Sequence, residues 1–122
     1  MLLERDNPPV AYDEDLANRI RELIGAEKDV AEKKMFGGLA FLVGGHLSVS
    51  ASRHGGVMVR VHPDDGDALA AKPHVRVAIM RGRAMPGWLL VAPEGLKTKR
   101  QLEAWVRRGV VYARSQPAKA TG

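Results

Sequence analysis

The side chains of this sequence that could do chemistry are three serines, four histidines, three clustered aspartates and a set of arginines. Ser48, Ser50 and Ser52 alternate with Leu47, Val49 and Ala51. No Gly-x-Ser-x-Gly elbow surrounds them and no base accompanies them, so the period of two reads as the solvated face of a strand and not as a nucleophile. His46, His54, His62 and His74 fall in or beside turns, and none is three or four residues from another. A metal site would therefore have to be assembled across loops. Asp64, Asp65 and Asp67 lack calcium-loop spacing and its twelfth-position Glu; they suit the first turn of a helix entered at Pro63. Gly37-Gly38 and Gly44-Gly45 match no phosphate-loop fingerprint, because a strand rather than a helix follows Gly38. The residues themselves point to no catalytic group, no cofactor and no metal.

Two basic surfaces remain. Arg81 and Arg83 stand beside Met85 and Trp88, and guanidinium with an exposed ring is a combination that binds phosphate and stacks on bases. The chain has only two each of Trp, Tyr and Phe, so core use is the favoured reading of Trp88. The formal charge of +5 is unevenly placed. Residues 1–61 carry eight Lys and Arg against nine Asp and Glu, and residues 62–122 carry eleven against five. A basic C-terminal half raises the chance of an anionic partner, with Arg100, Arg107, Arg108 and Arg114 as phosphate contacts if that partner is nucleic acid.

At 122 residues the length fits one domain with a real core. Cysteine is absent, which excludes disulfides and thiolate metal sites. Charges interrupt the start, Met-Leu-Leu-Glu-Arg-Asp, where a signal peptide needs apolar residues, and no apolar run approaches a membrane span. The expectation is a cytoplasmic protein with no membrane partner.

The elements that must position these residues follow from periodicity. Residues 1–10, with Pro8-Pro9, read as a flexible leader. Asp13 is placed to cap a helix whose Leu16, Ile20, Leu23 and Ile24 form one stripe, ending at Gly25. A strand from Val30 to Phe36 leads into the glycine pairs, each read as a two-residue hairpin turn. Leu39 to Val43 is apolar throughout, the pattern of a strand covered on both faces. Val57, Val59 and Val61 alternate in another strand, after a turn at Arg53-His54-Gly55-Gly56. Pro63 opens a short helix ending before Pro73. Val75, Val77 and Ile79 alternate in a returning strand, joined by a loop over 81–87 to a strand from Trp88 to Val91. Thr98 and Gln101 have capping-box spacing, and Leu102, Trp105, Val106, Gly109, Val110 and Ala113 make one apolar stripe. The fold class is α+β: an antiparallel five- or six-stranded sheet with two longer helices packed on one face and one short helix, in the order α-β(3-4)-α-β(2)-α. The domain spans 11–116 and residues 117–122 form a disordered tail.

Four blocks carry a resemblance: Ala11-Tyr12-Asp13-Glu14 opening a helix, Glu32-Lys33-Lys34-Met35-Phe36-Gly37-Gly38-Leu39-Ala40-Phe41, Met58-Val59-Arg60-Val61, and Gly82-Arg83-Ala84-Met85-Pro86-Gly87-Trp88. In this order and separation they resemble the N-terminal domain of the TfoX/Sxy family, bacterial regulators of competence genes. The resemblance implies an α+β domain layered like type III secretion chaperones. Full-length family members act as co-activators with the cyclic-AMP receptor protein and carry a second, helix-hairpin-helix-like domain. This chain stops before such a domain, so the role carried over is broader: a non-enzymatic regulatory or protein-interaction module in single-domain form. The expected partner is a protein, transcription machinery or a second copy, held at the sheet edge or on the surface of Lys33, Lys34, Arg83, Met85 and Trp88. Direct nucleic-acid binding by the C-terminal arginines is the alternative, and an unrecognised small-ligand binder or enzyme the second.

Overall fold

The computed structural model describes residues 12–35 and 37–117. The leader expected over 1–10, Ala11, Phe36 at the end of the first expected strand, and residues 118–122 of the expected tail lie outside the described residues. In chain order the elements are α1 (Glu14–Ile24), β1 (Val30–Met35), β2 (Gly38–Val43), β3 (His46–Ala51), β4 (Val57–Arg60), α2 (Pro63–Ala70), β5 (Val75–Met80), β6 (Arg83–Val91), a 3₁₀ turn (Pro93–Gly95) and α3 (Lys99–Ser115). The fold is α+β, with one six-stranded antiparallel sheet in the order β1-β2-β3-β4-β6-β5.

The helix ends follow the sequence. Asp13 Oδ1 accepts from the Leu16 amide at 3.1 Å, with Glu14 and Asp15 in the first turn. Thr98 and Gln101 close a reciprocal box: the Gln101 amide donates to Thr98 Oγ1 (3.1 Å) and the Thr98 amide to Gln101 Oε1 (2.9 Å). These bonds satisfy donors that a helix start leaves open. Pro63 takes the first position of α2, where its missing N–H costs nothing, and His62 Nδ1 accepts from the Asp64 amide. Gly25 ends α1 in a right-handed conformation, not the left-handed one a C-terminal glycine favours.

One face of the sheet is the core. Leu39, Phe41, Val43, Val49, Ala51, Val57, Val59, Leu89 and Val91 cluster with Leu16, Ile20 and Ile24 of α1 and Leu102, Trp105, Val106 and Ala113 of α3. At about 1.5–3 kcal/mol for each large side chain fully buried, this layer dominates the stability. Leu69 and Ala70 of α2 pack at its margin.

The register departs from simple alternation at two places, and each corrects an expectation. Between Phe41↔Val49 and Leu42↔Leu47 the β2–β3 ladder shifts, with Ser48 the extra residue. Ser48 is buried and its hydroxyl donates to the Phe41 carbonyl at 2.7 Å. Ser50, between Ala40 and Met58 in the ladders, is also buried. The expected wet face is therefore dry at Ser48 and Ser50: the bulge folds one hydroxyl onto the main chain, and the other lies mid-sheet, flanked by Ala40 and Met58.

The second shift lies between Val77↔Leu89 and Ala78↔Met85. Pro86 has no N–H for the ladder, so residues 86–88 bulge out of register. Ala78 is buried outside the core cluster, while Ile79 is 66% exposed, so the stripe of Val75 and Val77 does not carry the core as far as Ile79. The expected loop over 81–87 shrinks to Arg81-Gly82, both at positive φ (53° and 76°), and β6 begins at Arg83. Gly44-Gly45 is the hairpin turn expected, with φ of 59° and 85°. Gly37-Gly38 is not, because Gly38 pairs with Met35 and so lies in the ladder. Gly38 belongs to β2, where a Cβ would stand 2.2 Å from the Ala51 carbonyl oxygen.

Candidate interaction cleft on the second sheet face

β4 anchors Val57 and Val59 in the core, so its intervening Met58 and its last residue, Arg60, belong to the opposite face. Arg60 pairs across the ladder with Trp88. Its guanidinium carbon lies 4.3 Å from the centre of the Trp88 ring and 4.7 Å from that of Tyr112 on α3. Arg60 Nη2 donates to the Tyr112 hydroxyl. A cation over two aromatic rings gains from both ring quadrupoles. Tyr112 comes one turn after Gly109, where α3 presses on β3 so closely that a Cβ would lie 2.4 Å from the Ser48 oxygen. The β2–β3 bulge, the bare glycine and the β6 bulge together bring Tyr112, Arg60 and Trp88 into one cluster.

Around this cluster opens a cleft of about 480 Å³, walled by Met35, Leu42 and Leu47 and bordered by Lys33 and His46. A smaller cleft of about 210 Å³ adjoins it at Met35 and is lined by Met58, Met80, Ile79 and Leu90, with Arg53 and His54 at its border. The two form a trough with three methionines along it and basic groups at its rim. Among the described residues no carboxylate lines either part.

Of the residues expected to hold a partner, Lys33 and Trp88 meet in this cleft. Lys34 pairs with core-facing Leu39 and so belongs to the opposite face of β1. Arg83 is exposed beside the β5–β6 turn, and Met85 is half-buried opposite Ala78. Reasoning from sequence missed Arg60, Tyr112, Met58 and Met80. The signal for Arg60 was present, since it sits between Val59 and Val61 in an alternating strand. Tyr112 lies off the apolar stripe of α3, and nothing local says which strand it reaches.

The C-terminal arginines are mostly engaged. Arg107 pairs with Glu103 at 3.8 Å, Arg108 lies over the Trp105 ring at 4.4 Å, and Arg114 donates to Glu27 Oε1 (3.1 Å) and the Lys28 carbonyl (2.6 Å). Arg100 is exposed. Arg107 and Arg108 also border a groove of about 600 Å³ between α2 and α3, where Val111 is 62% exposed.

Elsewhere on the surface, Arg21 Nε and Nη2 grip both oxygens of Glu32 at 2.6 and 2.7 Å. These bonds hold the Glu32 carboxyl below its ordinary range, against a smaller opposing effect of burial, and raise the Arg21 guanidinium. His46 bonds the Pro117 carbonyl. Among the described residues no three of His, Asp and Glu gather closely enough to hold a metal ion, and no helix is long and apolar enough to cross a membrane.

Residues 22–113 match the model of the TfoX N-terminal domain. No curated protein and no solved structure matches the chain.

Proposed function

The chain belongs to the TfoX N-terminal domain family, and from that premise we propose that it is a non-catalytic regulatory module that works by docking a protein partner on the second face of its sheet. The observation that carries this reading is the trough joining the Arg60 cleft to Met58 and Met80. Methionine side chains are unbranched and polarizable, and they repack around differing apolar partners at little cost. Lys33, Arg53 and Arg60 are its ionic groups. The occupant that complements this charge is an apolar segment carrying acidic residues, since basic residues would meet only like charge.

The test compares capture by the intact chain with capture by two trough variants, Met35→Asp and Met80→Asp, and one groove variant, Val111→Asp. A partner retained by wild type and by Val111→Asp but lost by both trough variants supports the reading, provided that a peptide from that partner with acidic and apolar residues binds saturably. Capture that ignores both trough substitutions sinks it.

A further inference from the structure

Arg60 is a half-buried cation with no acidic partner among the described residues. Its guanidinium lies over the rings of Trp88 and Tyr112, and its hydrogen bond goes to a neutral hydroxyl. Nε and Nη1 find no acceptor among the described residues. Arginine in such a position is ordinarily paired with a carboxylate, because desolvating its charge is costly. We propose that the cleft around Arg60 is a receptor for an organic oxyanion, a carboxylate or phosphate ester borne on an apolar or aromatic body.

The geometry supplies each part of such a site. The two rings hold the guanidinium in place, so little side-chain freedom is lost when an anion arrives in its plane. Charge-assisted bonds from arginine to an oxyanion are among the stronger polar contacts a protein makes. Lys33 adds a second positive charge to the same cleft, while Met35, Leu42 and Leu47 offer apolar walls to the rest of the molecule. A volume of about 480 Å³ falls in the usual range for small-ligand pockets. Inorganic phosphate would leave those walls unused. The inference goes beyond partner docking, because a free small acid meets these requirements as well as an acidic side chain of a docked segment does.

The test follows the Trp88 indole and Arg60 Nε signals in ¹H–¹⁵N spectra of the full chain during titration with benzoate, phenyl phosphate, inorganic phosphate and benzamide. Benzoate or phenyl phosphate shifts both signals saturably, and uncharged benzamide binds weaker by about tenfold to a hundredfold, as expected for losing a charge-assisted bond. Arg60→Gln abolishes the response. Arg60→Lys, which keeps the charge without the planar fork, weakens it about tenfold, and Lys33→Met weakens it severalfold; these two carry the test if Arg60→Gln fails to fold. A second arm uses an apolar peptide with a central glutamate against its glutamine twin. Response to the small acids alone assigns the site to a free ligand; response to the glutamate peptide and not its twin assigns it to an acidic side chain. No saturable shift with any anion, or equal binding of benzoate and benzamide, overturns the proposal. Partner capture that persists in Arg60→Lys beside such a failure leaves docking standing. Loss of capture with the anion response intact does the reverse.

Discussion

Gly109 of α3 rests against the main chain of Ser48 in β3, at a separation that would put any Cβ at position 109 2.4 Å from the Ser48 carbonyl oxygen. A helix prefers Ala to Gly by about 1 kcal/mol, so propensity alone would make Gly109→Ala stabilising. The obstacle here is backbone in a central strand, which cannot swing aside. Overpacking of this kind costs about 1–3 kcal/mol or more, and the net sign is destabilising. Urea unfolding should give a lower midpoint with an unchanged slope; a raised midpoint would mean that α3 lifts from the sheet freely.

Ser48→Ala removes the 2.7 Å bond to the Phe41 carbonyl and leaves that buried acceptor short of a donor at the bulge. The expected loss is about 1–3 kcal/mol, read as a lower thermal midpoint. An unchanged midpoint would show that the main chain alone holds the bulge.

Ile79→Thr tests whether the stripe of Val75 and Val77 ends short of Ile79. At 66% exposure the substitution should move stability by no more than about 0.5 kcal/mol. Trp105→Ala, at 5% exposure in the core, should cost about 3–5 kcal/mol. Denaturant curves of the two variants side by side check both, and a core-sized loss at Ile79 would mean that the core reaches past Val77 after all.

The Arg21–Glu32 pair makes a pH prediction. Because the Glu32 carboxyl is held below its ordinary value in the fold, its contribution is complete above the unfolded carboxyl value, near pH ~4.3, and is lost as pH falls through the lower folded value. Both side chains are more than a third exposed, so the effect is modest and salt-sensitive. The gap in thermal midpoint between wild type and Glu32→Gln should close on acidification below about pH 4.3 and narrow in high salt. A gap that stays constant from neutral to strongly acidic pH would contradict this.

Capping boxes, apolar stripes and the order of elements are local patterns, and Asp13, Thr98-Gln101 and the Leu102–Ala113 stripe were readable for that reason. The two bulges were not. Whether Ser48 faces water depends on which residue of β2 it opposes, and Gly109 on a distant helix helps decide that. Pro86-Gly87 looks like a loop by composition, yet it is an interruption inside a strand, and that displacement sets Trp88 opposite Arg60. Lys33 and Trp88 were singled out and do share a cleft; the charged centre between Trp88 and Tyr112 needed tertiary geometry to be seen.

The aromatic cluster draws its pieces from β4, β6 and α3, the last element in chain order among the described residues. A nascent chain still short of Tyr112 has at most half a vice around Arg60. Competence to grip would thus arrive only once α3 has docked on the sheet, and whatever Arg60 holds would discriminate docked molecules from undocked ones.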